Sequence, residues 1–331
     1  MRERKNVFLG RASLALLFLF LCASCSWWSR RPAIAQGSPA PGRTLAEKFE
    51  FGGLSRSYRL HVPGSYEGAS ARPLVFILHG YLGDARHMQE AFLGGRFDEL
   101  SDAHGFFALY PDGVNRAWND GGRLRPPKPT DPDDVGFLTA LLDDLSAKYR
   151  VDPSRVYAAG ISNGGMMAYR LACDAAGRFA AIAPVAASLS ENFAPLCKPE
   201  RPVSVMIVNG TKDSLIRWEG GDVRVFFKVR RRVLAAEATA TFWTKANGCE
   251  GPARNLDLPD QDPEDGTRIS LQEWEGCVRG TAVRLYKVDG GGHTWPGARQ
   301  YLGQSLLGPT SRDLDASEAI WNFFEGHPQR D

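Results

Sequence analysis

The chain has 331 residues, 43% hydrophobic and 24% charged, a globular mixture long enough for one large domain with a substantial core. Its formal net charge of +2 gives no reason to expect nucleic acid or a strongly anionic partner. Composition bounds the class and leaves the function open.

From the N-terminus, Met1 to Arg11 carries Arg2, Arg4, Lys5 and Arg11, and an apolar run follows from Ala12 to Ala23. A basic stretch before an apolar run of this length reads as a secretory signal peptide; the run is too short for a membrane span. Ala33-Ile-Ala35 offers a cleavage site, so residues 1–35 are expected to be removed. Cys25 offers an alternative, because Leu21-Cys-Ala-Ser-Cys25 loosely resembles a lipoprotein acceptor, with Cys22 where an aliphatic residue is usual. The protein is therefore expected to be exported, periplasmic or extracellular, with no stable membrane span after processing. Residues 36–47, rich in Gly, Ser, Pro and Ala, read as a linker, and residues 48–326 as one folded domain.

Within that domain, Phe49-Glu-Phe51 and Tyr58-Arg-Leu-His-Val62 flank Gly52-Gly53, the pattern of a β-hairpin. Pro73-Leu-Val-Phe-Ile-Leu78 is a continuous apolar run, as in a strand buried on both faces. Phe106-Phe-Ala-Leu-Tyr110 repeats the pattern and stops at the turn Pro111-Asp-Gly113. Between Asp133 and Arg150, Val135, Leu138, Leu141, Leu142 and Leu145 share one helical stripe. Val156 to Ala159 reads as a strand, with a helix opening near Asn163. Phe179 to Ala186 and Val203 to Val208 are further buried runs. The basic run Arg224 to Arg232, with Lys228, Arg230, Arg231 and Arg232, reads as a solvated helix face. A helix is expected from Val233 to Ala246, a surface loop from Asp257 to Gly266 and a last strand from Val283 to Val288. Asp315-Ala-Ser-Glu318 resembles a capping box opening a helix through Phe324. Such alternation implies an α/β fold, a mostly parallel central sheet with helices on both faces.

Beyond the leader stand Cys173, Cys197, Cys249 and Cys277. An even number in an exported chain suggests two disulfides, with three pairings open and nearest neighbours preferred. No pair has the short spacing of metal ligands, so no metal is expected.

Gly160-Ile-Ser162-Asn-Gly164 matches Gly-x-Ser-x-Gly and lies between the strand ending at Ala159 and the helical stretch Met166 to Ala172. Strand–turn–helix is the setting of a nucleophile elbow, in which a strained turn presents the serine. A serine hydroxyl needs a general base, and that base needs a carboxylate. Of the six histidines, His293 lies in Gly290-Gly-Gly-His-Thr-Trp-Pro-Gly297 just after the last strand, where a loop can return it to the top of the sheet. His61, His87, His104 and His327 fall in a strand, a helix, a pre-strand position and the tail. Asp213 follows the strand Val203 to Val208; Asp222 and Asp289 are its competitors. Ser162, Asp213, His293 is the chain order of the α/β-hydrolase fold. Backbone N–H groups of Asn163 and of Tyr81, in His79-Gly-Tyr-Leu-Gly-Asp84, would form the oxyanion hole. His79 would brace that loop, and Trp118 and Trp295 are candidates to line the substrate site.

The motifs Leu78-His-Gly-Tyr-Leu-Gly-Asp84, Tyr110-Pro-Asp-Gly113, Trp118-Asn-Asp-Gly121, Asp134-Val-Gly-Phe137, Gly160 to Cys173 and Gly290 to Gly297 together resemble the polyhydroxybutyrate depolymerase/feruloyl esterase family, over about Phe49 to Phe324. The resemblance implies cofactor-free hydrolysis of carboxylic esters, small or polymeric, with Ser162, Asp213 and His293 in the triad positions. It also implies the bridges Cys173–Cys197 and Cys249–Cys277. The acid loop, Asn209-Gly-Thr-Lys-Asp-Ser-Leu-Ile-Arg-Trp218, departs from the family's His-Gly-Thr-x-Asp pattern. The basic run after it has a second reading, as a cleft-side segment favouring anionic substrates. The absence of a recognisable separate substrate-binding module favours soluble or oligomeric esters. Rival readings are an amide of an anionic polymer, a β-diketone of oxidised polyvinyl alcohol, or a non-catalytic binding protein on the same scaffold.

Overall fold

The computed structural model describes residues 42–122, 124, 128, 130–225 and 228–330. The expected signal peptide 1–35, with Cys25, and residues 36–41 of the expected linker lie outside them. In chain order, strands β1 (Arg43–Phe51), β2 (Leu54–Val62) and β3 (Arg72–Leu78) precede helix α1 (Arg96–His104) and β4 (Phe107–Pro111). Next come α2 (Asp134–Lys148), β5 (Val151–Ile161), α3 (Asn163–Asp174), β6 (Ala181–Val185) and β7 (Ser204–Gly210). A hairpin of β8 (Gly221–Val225) and β9 (Lys228–Val233) leads to α4 (Ala236–Ala246), β10 (Arg254–Asp257), β11 (Arg268–Trp274), β12 (Val283–Asp289), α5 (Gln304–Leu307) and α6 (Ala316–Gly326).

Ten strands form one sheet in the order β1-β2-β4-β3-β5-β6-β7-β12-β11-β10. The six from β4 to β12 are parallel, and antiparallel pairs close both edges. The apolar runs are continuous because both faces are covered. Along β3, Leu74, Phe76 and Leu78 enter one core with α2, α3 and α4, while Val75 and Ile77 enter another with α1 and α6. This is the period of two that a strand imposes. The helices start where their caps allow. Asp133 accepts Gly136 N–H ahead of α2, and Asp315 accepts the N–H groups of Ser317 and Glu318 ahead of α6. The expected reciprocal bond from Glu318 gives way to an ion pair with Arg96 at 2.9 Å.

Two expectations change, and three elements go unanticipated. β1 begins at Arg43, inside the stretch 36–47 read as linker; its nine-residue ladder with β2 is built from backbone groups and needs few apolar side chains. The basic run is a β-hairpin and not a helix face, because β-branched Val223, Val225, Val229 and Val233 recur among the cations in a strand-like pattern. α1, β10 and β11 carry no strong apolar run and escape a reading based on periodicity.

The cysteines pair as Cys173–Cys197 and Cys249–Cys277. The second bridge closes the excursion that carries β10 and β11. Replacing Cys249 and Cys277 together with Ala should lower the unfolding free energy by about 2–4 kcal/mol. Urea denaturation measures this, and an unchanged midpoint would remove the bridge from the stability account.

Candidate active site

Parallel strands bring their carboxyl ends to one edge, and β5, β7 and β12 deliver Ser162, Asp213 and the loop of His293 there. Ser162 has φ 56°, an unusual value for a residue with a Cβ. Its N–H donates to Val185 O at 2.9 Å, and its carbonyl accepts the N–H of Met166 at 2.9 Å. Glycine at 164 is forced by crowding: a Cβ there would lie 2.3 Å from Leu78 O. Asn163 opens α3, so the helix provides no partner for its N–H.

Asp213 is 3% exposed and His293 2%. One Asp213 oxygen accepts the N–H groups of Leu215 and Ile216, both at 2.8 Å. The other faces His293 Nδ1 at 2.7 Å. With a carboxylate as acceptor, Nδ1 carries the hydrogen and Nε2 is left as the basic nitrogen. The loop that carries the imidazole is pinned on several sides. His293 N–H donates to Leu307 O at 2.5 Å, Lys212 N–H to Gly291 O at 2.8 Å, and the Tyr301 hydroxyl to His293 O at 3.2 Å. The competing acids are engaged elsewhere: Asp222 pairs with Arg224 and Arg232, and Asp289 accepts the Thr211 hydroxyl.

The loop after β3 lies against the serine; a Cβ on Gly80 would sit 3.7 Å from Ser162 Cβ. Tyr81 and Ser162 both line a cleft of about 220 Å³. His79 braces this loop through both ring nitrogens: Nδ1 lies 2.8 Å from Gly80 O, and Nε2 accepts Gly113 N–H at 2.9 Å. Trp118 also borders the cleft, yet it is 1% exposed and its indole N–H donates to His79 O at 2.9 Å. Trp295 is a correction. Its ring packs on Phe92 and Phe97, its N–H donates to Ser317 Oγ, and it takes no part in the cleft lining. Gly297 N–H donates to Ser311 O and Pro296 O accepts the N–H of Ala316, which ties this segment to the start of α6 with the ring inside the core.

Two cleft residues, Arg230 and Arg231, and one buried residue behind the cleft, Asp120, escape the motif reading. Asp120, buried, accepts the side-chain amide of Asn163 at 2.5 Å and is paired with the Arg231 guanidinium. Asn163 is held from the other side by the backbone of Trp118, through its carbonyl oxygen at 2.7 Å and its amide at 3.1 Å. Arg230 and Arg231 line the cleft together with apolar Met166, Ile216 and Val223. The signal for Asp120 was the motif Trp118 to Gly121, and for the arginines the basic run.

Residues 56–193 match the family model described as esterase PHB depolymerase. NocK of Nocardia uniformis subsp. tsuyamanensis, classed by its name among esterases, is 31% identical over 96% of this chain and 98% of its own length. Feruloyl esterase B of Piromyces equi is 31% identical over 70% of this chain and 41% of its own. Among solved structures, an acetyl xylan esterase from Aspergillus awamori superposes with a TM-score of 0.56 at 14% identity. That match covers 86% of this chain and 100% of the other, a likeness of fold.

The His79 contacts suit a neutral ring, because a proton on Nε2 would face the N–H of Gly113. Burial holds this imidazole below its ordinary value. As pH falls through about 6.5, the unfolded chain therefore binds the proton first. Folded-state stability should drop through that window and level off below the folded-state value. His79→Gln removes this contribution, so urea unfolding at about pH 7.5 and about pH 5 should show a smaller drop for the variant than for wild type. Equal drops would exclude His79 as a source.

Proposed function

The chain belongs to the polyhydroxybutyrate depolymerase/feruloyl esterase family, and from this membership we propose that it hydrolyses carboxylic esters by acyl transfer through Ser162, His293 and Asp213. The observation that carries this reading is the buried 2.7 Å contact of Asp213 with His293 Nδ1, at the sheet edge that also presents Ser162. His293 Nε2 takes the hydroxyl proton as Ser162 Oγ attacks the ester carbonyl. Asp213 orients the ring and stabilises the imidazolium that forms. The N–H groups of Asn163 and Tyr81 stabilise the oxyanion. Collapse expels the alcohol with the proton from His293, and water then releases the acid from the acyl-enzyme.

The substrate we assign is a hydroxyalkanoate-type or feruloyl-type ester. Support for an ester with an apolar body comes from Met166, Ile216 and Val223 in the cleft and from the relative named as a feruloyl esterase. The catalytic domain would extend from β1 through α6. Export is part of the same proposal: two disulfides suit an oxidising compartment, and among the described residues no helix is long and apolar enough to cross a membrane.

Ser162→Ala should lower kcat on p-nitrophenyl acetate and butyrate by about 10⁴-fold or more, and Asp213→Asn by roughly 10⁴-fold. Circular dichroism should show both variants folded. A Ser162→Ala protein as active as wild type would sink the acyl-enzyme.

A further inference from the structure

The cleft beside Ser162 carries one unmatched positive charge. Arg231 is spent on Asp120, whose carboxylate also takes N–H groups from Asn163 and Gly122. That pair is neutral within itself. Arg230 lines the same cleft and is exposed. Among the described residues it makes no ion pair or hydrogen bond, and no Asp or Glu lines the cleft. The other arginines of the hairpin are matched, Arg224 by Asp222 and Arg232 by Asp222 and Glu191.

The backbone explains how two consecutive strand residues reach one cleft. Neighbours on a strand point to opposite faces. In the β8–β9 ladder Val223 faces Arg231 and Arg224 faces Val229, which leaves Arg230 as an extra residue in β9. A bulge of this kind breaks the alternation and re-aims a side chain. Arg230 stays exposed, as Lys228 and Arg232 are, and it also borders the cleft.

We propose that Arg230 is a substrate-binding residue that selects esters bearing a carboxylate on their acyl or alcohol portion; this deepens, and rests on, the esterase reading above. A guanidinium presents two parallel N–H groups that match the two oxygens of a carboxylate. One free cation calls for one negative charge, which a carboxylate supplies at neutral pH. The apolar lining from Met166, Ile216 and Val223 accommodates the carbon chain between that charge and the ester. Free acid ends of hydroxyacid oligomers and half-esters of dicarboxylic acids both have this form.

The test compares near-isosteric esters within each protein, so that a general loss of activity cancels. Monomethyl adipate against methyl hexanoate places the carboxylate on the acyl side; 4-acetoxybutyrate against butyl acetate places it on the alcohol side. In wild type, kcat/KM should favour the carboxylate ester in one arm, and that arm identifies the side recognised. Arg230→Gln should reduce the ratio by roughly tenfold to a hundredfold, mostly through KM, with partial retention in Arg230→Lys. Lys228→Gln, on the same hairpin and outside the cleft, should leave the ratio unchanged. Wild type without a preference in either arm, or a preference that survives Arg230→Gln, overturns the inference and leaves the esterase reading standing. Wild type inactive on these esters and on p-nitrophenyl acetate overturns the esterase reading, and this inference with it.

Discussion

A serine held at φ 56° occupies backbone space that costs a residue with a side chain about 1–3 kcal/mol, so the turn at Ser162 persists only because its surroundings over-determine it. β6 receives its N–H, the first turn of α3 donates to its carbonyl, and glycine at 164 lets the helix approach the end of β3. Three strands and one helix thus meet at a single residue. The proposed nucleophile cannot move without moving the centre of the sheet, and the loop of Tyr81 comes to it because Gly80 packs beside its Cβ. Placement of the hydroxyl is a property of the core, although the residue itself lies at the edge.

A second layer of constraint is polar. The connection from β4 to α2 contributes Ala117 and Trp118 to the cleft, and three carboxylates hold its described residues. Asp112 accepts the N–H of Ala85 and the hydroxyl of Ser57. Asp134 takes Asn119 N–H at 2.7 Å and the Arg56 guanidinium at 2.8 Å. Asp120 joins Asn163 to Arg231. Burial pushes the Asp134 carboxyl above its usual value even with Arg56 beside it, so desolvation outweighs the ion pair. Such a pair adds little net stability compared with an apolar replacement. What it does here is fix a loop that carries both Trp118 and the partners of Asn163. The hairpin β8–β9 lines the cleft directly and is also tied to Asn163 through this layer, by way of Asp120.

Several elements were legible because their signal is local. The hairpin of β1 and β2, the buried strands β3, β4, β6, β7 and β12, the stripe of α2 and the Asp315 cap of α6 each declare themselves within a few residues, through apolar runs, glycines or a capping oxygen. β10 and β11 were not, because neither carries a continuous apolar run and their pairing is decided by backbone groups that every residue has. The run Arg224 to Arg232 misled because its charges drew attention from the valines among them. Trp295 misled in another way: it lies two residues from His293 in sequence, yet its ring is buried against Phe92 and Phe97 with its N–H on Ser317.

The sequence by itself determined the serine between a strand and a helix, the histidine in a glycine-rich loop after the last strand, an acid after a strand end, and their order along the chain. These are facts of short segments, set by propensity, turn chemistry and apolar period. Only the tertiary structure decided that Asp213 meets His293 across 80 residues of chain while Asp222 and Asp289 turn elsewhere. It likewise decided that Arg231 meets Asp120 across 111 residues and leaves Arg230 unmatched beside the serine. The reason is physical. A charge finds its partner by the geometry of the packed sheet and by the need to satisfy every buried polar group, and neither is written in the residues next to it.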